Sequence, residues 1–166
     1  LNKQVIEKEE MIAKVKAALD ARIDEDFIIM ARTDALAVNG LEDAIERANL
    51  FGQAGADLIF VEAPTSVEQM RAITAQVDSP TLANNIEGGK SPLLSASELE
   101  EIGYSTVVFP VSSTYAVAKA LGDLMAEISM TGTTAGFINR MVPFDDFNRL
   151  INLDHMRSLE RSYIKP

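Results

Sequence analysis

The feature that most constrains this chain is a recurring alternation. A short, mainly apolar run is followed by a loop and then by a segment of helical period. Four such runs occur: Phe27-Ile28-Ile29-Met30-Ala31, Asp57-Leu58-Ile59-Phe60-Val61, Thr81-Leu82-Ala83 and Thr106-Val107-Val108-Phe109. Uninterrupted apolar runs suit strands buried on both faces, as in parallel sheets. After the first run, Leu41, Ala44, Ile45, Ala48 and Phe51 recur at helical spacing, up to about Gly55. After the second come Val67, Met70, Ile73 and Val77, and after the last come Val117, Leu121, Leu124, Met125 and Ile128. Strand follows strand at roughly 25–30 residues, the size of one βα unit. Such alternation predicts a parallel sheet covered by helices.

Local signals punctuate the pattern. Ser66 with Gln69, and Ser95 with Glu98, are capping-box pairs at helix starts. Gly103 and Gly132 lie where helices stop. A leading helix is predicted over 3–22, with Met11, Ile12, Val15, Ala18 and Leu19 on one face, and a last one over 143–163, with Pro143 in its first turn. An open doubly wound sheet and a (β/α)8 barrel both fit. The glycine fingerprint of the doubly wound dinucleotide folds is missing after the first strand. A complete barrel uses eight units and about 250 residues. This chain of 166 residues offers four units.

Composition removes several functions. The net charge of −10 argues against nucleic acid, whose phosphates demand Lys and Arg. It gives no support for binding an anionic membrane surface. The absence of Cys excludes disulfides, thiolate zinc sites and a Cys nucleophile within these residues. It suits a reducing compartment, and a cytoplasmic location is the expectation. No apolar run approaches the roughly 20 residues of a membrane span. Leu1 stands inside a helical pattern, so the chain is expected to begin within a longer protein.

In both parallel architectures the chemistry sits at the carboxyl ends of the strands. Arg32-Thr33-Asp34 follows the first strand and Glu62-Ala63-Pro64 the second. Asn84-Asn85-Ile86-Glu87-Gly88-Gly89-Lys90 follows the third, and Pro110-Val111-Ser112-Ser113 the fourth. A guanidinium at such a place suits bidentate recognition of a carboxylate or phosphonate. A neighbouring carboxylate can hold it and assist proton transfer, and an amide can meet a second polar group of a ligand. Each residue alone reads equally as loop polarity; the coincidence of Arg32, Glu62 and Asn84 at three adjacent strand ends is the stronger signal. Gly89-Lys90-Ser91 resembles the tail of a phosphate loop, but that motif needs a glycine where Asn84 stands. His155 sits in the last predicted helix, away from any strand end, and reads as a structural or surface histidine. With one His and no Cys, any metal would be a hard, oxygen-ligated ion such as Mg²⁺.

These residues also carry a family likeness. Phe27 to Ala35, then Gly40-Leu41-Glu42-Asp43-Ala44-Ile45-Glu46-Arg47-Ala48, resemble the isocitrate lyase/phosphoenolpyruvate mutase superfamily. The likeness is greatest to its methylisocitrate lyase and 2,3-dimethylmalate lyase branch. Phe60-Val61-Glu62-Ala63-Pro64 and Ala83 to Lys90 agree. The resemblance implies a (β/α)8 barrel of which residues 1–166 are strands five to eight, with 133–166 a helical extension exchanged with a partner subunit in a homo-oligomer. It implies that Arg32 and Glu62 are catalytic and that Arg32, Glu62 and Asn84 bind a small carboxylate substrate; Thr33, Asp34 and Glu87, beside them in the sequence, are added as expected supporting contacts. It implies Mg²⁺ as cofactor, held by aspartates of the first four strands, where a loop with a catalytic Cys also lies; no metal ligand is expected in this chain. The implied activity is cleavage of a 2-hydroxy di- or tricarboxylate to a 2-oxo acid such as pyruvate and a second acid. A phosphonomutase, an oxaloacetate-cleaving enzyme and a non-catalytic half-barrel are the alternatives. A half-barrel alone would leave Phe27–Ala31 and Thr106–Phe109 as open apolar edges, which pair or aggregate.

Overall fold

A computed structural model describes residues 3–164 of the chain. They divide into two compact units, residues 1–114 and 115–166. In the first, helices α1 (Lys8–Ala21), α2 (Leu41–Gln53), α3 (Val67–Gln76) and α4 (Ala96–Ile102) alternate with strands β1 (Met30–Thr33), β2 (Leu58–Val61), β3 (Leu82–Asn84) and β4 (Thr106–Val108). All pairings are parallel: β1 with β2, β3 with β4, and a bridge from Ile59 to Thr81 that joins the two pairs. The predicted α/β alternation is therefore present.

Alternate strand residues face the helices. Ala31, Ile59 and Val61 pack with Ala44, Ala48 and Phe51 of α2 and Ile73 of α3 in one buried cluster. Ala83 packs with Met70, Leu99, Ile102 and Tyr104 in a second. The opposite sheet face carries Arg32, Phe60 and Asn84.

Four local expectations are corrected. Strand β1 starts three residues and ends two residues later than its apolar run suggests, so Arg32 and Thr33 lie within it. Phe27 and Ile28 are 64% and 63% exposed in a turn, where Arg22 and the Ile29 amide both bond the Asp57 carboxylate. The leading helix starts at Lys8, not at residue 3. The Arg47 guanidinium donates to the Ile6 carbonyl at 2.8 Å and Val5 packs on the core, which keeps residues 3–7 out of the helix, with Glu7 extended. The last predicted helix is two, α6 (Phe144–Leu150) and α7 (Leu153–Tyr163), parted by Asn152 in the left-handed region (φ 54°). The start of α4 has both bonds of its capping box. That of α3 has only Ser66 accepting from Gln69, because the Gln69 amide oxygen takes the Thr65 amide instead.

The second unit consists of most of α5 (Ser112–Thr131), a 3₁₀ segment (Ala135–Arg140), α6 and α7. Among the described residues no helix is long and apolar enough to cross a membrane.

Candidate functional site

The sheet register sets the site. Arg32 pairs with Phe60, and Ile59 with Thr81. Continuing these rungs puts Phe60 level with Leu82, and Glu62 level with Asn84. The Glu62 amide donates to the Thr33 carbonyl at 3.0 Å, so the ladder persists one residue past β2. Ala63 then turns the chain in the left-handed region at φ 59°, a costly conformation for a residue with a Cβ. This turn ends the strand immediately after the carboxylate.

The Arg32 side chain lies over the Phe60 ring, its Cζ 5.0 Å from the centroid, in the range of a cation–π contact. Its Nε donates to Asp34 Oδ2 at 3.0 Å and its Nη2 to Oδ1 at 3.3 Å. Glu62 Oε2 stands 3.4 Å from Nη2. That is ion-pair range, but the oxygen is not aligned as an acceptor and stays buried without a hydrogen-bond donor among the described residues. Asn84 Oδ1 and Glu87 Oε2 share that condition. A buried acceptor left unpaired costs about 1–3 kcal/mol, so two at neighbouring strand ends and a third in the loop after β3 mark a place built for donors.

Charge is fixed locally. The hydrogen bonds from Arg32 to Asp34 hold the guanidinium above its ordinary value, assisted by the nearby Glu62 charge. Burial alone would raise the Asp34 carboxyl; hydrogen bonds from Arg32 and Lys3 outweigh it and hold Asp34 below the usual carboxylate range. Glu87 is also held low, by the Ser112 hydroxyl and then by its own amide.

The structure brings together Arg32, Asp34 and Glu62, with Asn84 one strand further on. Thr33 is not among them: it is buried on the helix-facing side, where its hydroxyl accepts from the Ala35 amide at 3.2 Å. Glu87 is tied to Ser112 at the start of α5. Sequence reasoning passes over four residues that shape the site. Phe60 is legible, two residues before Glu62 and so on the same strand face. Asn85, 3% exposed, clips the following loop through both bonds to Leu94, at 2.7 and 3.3 Å. Ser112 and Lys3 act across long sequence separations and leave no local signal.

The residues do not make a magnesium site by themselves. Carboxylates are the ligands Mg²⁺ takes, yet Asp34 is committed to Arg32 and Lys3, and one Glu87 oxygen to Ser112. Among the described residues no three His, Cys, Asp or Glu side chains gather to hold a metal.

The profile of the family described as phosphoenolpyruvate phosphomutase matches residues 1–129. The chain belongs to this family. Within it, the chain is 43% identical over 163 residues to 2,3-dimethylmalate lyase of Eubacterium barkeri, covering 98% of itself and 56% of that protein. It is 44% identical over 140 residues to 2-methylisocitrate lyase of Shewanella oneidensis, covering 84% of itself and 48% of that protein. It superposes with a TM-score of 0.87 on oxaloacetate acetylhydrolase bound to the inhibitor 3,3-difluorooxalacetate, at 28% identity, over 99% of this chain and 56% of that one. The chain thus spans about half the length of the family members it matches. The likeness of Phe27–Ala48 to this superfamily is confirmed, and lyases stand among its relatives.

Proposed function

We propose that this chain is the strand-five-to-eight half of a (β/α)8 barrel, and that the complete polypeptide is a carbon–carbon lyase. Its substrate is a small 2-hydroxy di- or tricarboxylate of the 2-methylisocitrate or dimethylmalate type. The single observation carrying this reading is the pairing of one cation with buried acceptors. Arg32 offers N–H groups to a carboxylate, while Glu62 Oε2 and Asn84 Oδ1, level on adjacent strands, ask for a donor. A 2-hydroxy acid carries a carboxylate for Arg32 and one O–H donor, which suits Glu62.

In this reading Arg32 takes the carboxylate beside the carbinol carbon. Glu62 accepts the hydroxyl hydrogen bond and holds that proton as the C–O bond becomes C=O and the adjacent C–C bond breaks. The electron pair passes to the second acid as an enolate-like carboxylate, and a proton donor outside this chain completes that product. The Asn84 side-chain N–H donates to the hydroxyl oxygen from the other side. Mg²⁺ dependence belongs to the same proposal, with ligands expected ahead of Leu1, where the ion would stabilise developing negative charge. The segment 133–166 is proposed as a helical extension packed on a partner subunit.

The second reading, a phosphonomutase, draws on the family description itself. A phosphonate group brings acceptors and would leave Glu62 unanswered, which favours the lyase. If no segment precedes Leu1 in its reading frame, a non-catalytic half-barrel is the remaining reading.

The test presents the complete polypeptide, with Mg²⁺, with methylisocitrate, dimethylmalate, oxaloacetate and phosphonopyruvate. Release of a 2-oxo acid from either hydroxy acid is expected; turnover of phosphonopyruvate alone would transfer the assignment to the mutase. Arg32→Ala should lower kcat/KM by the equivalent of about 2–5 kcal/mol, the loss of a paired charge contact. Unchanged catalytic efficiency in that variant removes Arg32 from the site.

A further inference from the structure

A guanidinium can present only part of its donor set once neighbours have taken the rest. Arg32 has five N–H groups. Asp34 takes the Nε–Nη2 edge in fork geometry, at 3.0 and 3.3 Å. Phe60 covers one face of the plane. Nη1 has no hydrogen-bond partner among the described residues, and neither of its hydrogens is committed. The orientation of the free edge therefore depends on where Asp34 is held.

Asp34 is itself held from a distance. Its Oδ1 accepts from Lys3 as well as from Arg32. Lys3 lies on the segment ahead of α1, which is pinned at two points: the buried Arg47 donates to the Ile6 carbonyl at 2.8 Å, and Val5 packs on the core. Arg47 is steadied in turn by Asp43 at 2.7 Å. A cleft between this segment and β1 is walled by Gln4, Val5, Ile6 and Arg47 on one side and by Arg32 and Asp34 on the other. The segment is thus a strap that reaches from α2 to the end of β1.

The geometry assigns Asp34 the role of a positioning residue. It fixes Arg32 through the Nε–Nη2 edge so that the Nη1 side meets the ligand carboxylate, and Lys3, carried in by the strap, fixes Asp34. This rests on the reading of Arg32 as the carboxylate anchor and deepens it. It also reassigns Asp34 from ligand contact to ligand orientation, and gives residues 3–7 a part in the site.

Substitutions at three positions in the complete polypeptide test it, with oxalate as the probe for carboxylate affinity and KM and kcat read separately. Asp34→Asn turns one acceptor into a donor facing the guanidinium. It should weaken oxalate binding and raise KM by about tenfold, the scale of a lost charged hydrogen bond, with kcat changed far less. Asp34→Glu, which restores two acceptors, should recover most of that loss. Lys3→Met alters a half-exposed side chain without threat to the fold, and should raise KM about two- to threefold in the same direction. In an Arg32→Lys background, whose ammonium has no fork to orient, Asp34→Asn should add less than about twofold. If Arg32→Ala leaves oxalate affinity unchanged, the anchor reading fails. If Arg32→Ala abolishes binding while Asp34→Asn and Lys3→Met do not weaken it, the anchor stands and the positioning role is overturned. Equal losses from Asp34→Asn with the guanidinium in place and in the Arg32→Lys background would likewise overturn it, since they would mark a contact independent of the guanidinium.

Discussion

Helices α2 and α5 carry the same kind of apolar stripe and meet opposite ends. On α2, Ala44, Ala48 and Phe51 are 0%, 0% and 1% exposed, sealed against β1, β2 and α3. On α5, Val117, Leu121 and Met125 are 55%, 53% and 56% exposed. The contrast extends to whole units. Residues 1–114 enclose two buried clusters, whereas among the described residues of 115–166 only Phe137 is buried. Helical period says that a face is apolar; it does not say that this chain supplies what covers it. An exposed stripe of this size points to an interaction surface, and the proposed packing of the C-terminal helices on a partner would supply the cover.

The largest effect that can break this comparison is a pair of truncations. Phe51→Ala should destabilise by about 3–5 kcal/mol, the cost of emptying a filled aromatic site. Leu121→Ala should stay within about 0.5 kcal/mol in the dissociated chain, and should cost more as concentration rises if a partner covers α5. Denaturant titration at two protein concentrations reads both. A Leu121→Ala loss that matches Phe51→Ala at every dilution would mean that the stripe is buried within the chain.

A smaller effect is set by pH. Tyr104, 7% exposed in the second cluster, has its hydroxyl pushed up by burial to about 12. A folded value above the ordinary 10.0 means the unfolded chain loses this proton first, so stability is complete below pH 10 and declines as pH rises towards 12. The decline due to this group is about 3 kcal/mol, from a difference of roughly two units. Tyr104→Phe should flatten the alkaline limb of the melting curve, with Tyr163→Phe, at an 84% exposed position, as control. An unflattened limb in Tyr104→Phe would remove the burial argument.

The smallest effect compares two helix ends. Gly103 and Gly132 both close helices with positive φ, at 112° and 71°. A Cβ on Gly103 would come within 3.1 Å of Thr74 Cβ, whereas one on Gly132 would meet nothing within 4 Å. Both alanine variants should lose about 1 kcal/mol to left-handed strain, and Gly103→Ala should lose more because packed neighbours must shift. Equal melting shifts would show that the packed unit yields as easily as the open one.

Much of the fold can be read along the chain because its signals are local. The apolar runs, the Ser95–Glu98 capping box and Gly103 each act within a few residues, and the helix start and stop lie where those residues put them. Local reading fails where distant residues intervene. The Ile6 carbonyl is held by Arg47, forty-one positions away, and so residues 3–7 stay outside the helix despite their helical pattern. Phe27 and Ile28 look like strand, yet Asp57 and Arg22 hold that segment in a turn. For the site, Arg32, Glu62 and Asn84 are visible because βα order places strand ends together. Asp34 is visible only as a neighbour of Arg32, and Thr33 looks like a site residue for the same reason although alternation turns it towards the helices.

By itself, then, the order of residues determined the parallel α/β alternation, the family and the three strand ends that carry Arg32, Glu62 and Asn84. Periodicity and capping are properties of neighbours, and neighbours are what a sequence records. Tertiary structure alone decided which edge of the Arg32 guanidinium stays open, that Lys3 steadies Asp34, and that the α5 stripe finds no cover within its own unit. Those outcomes depend on contacts between residues far apart in the chain, whose energies exist only once the strands and helices have packed.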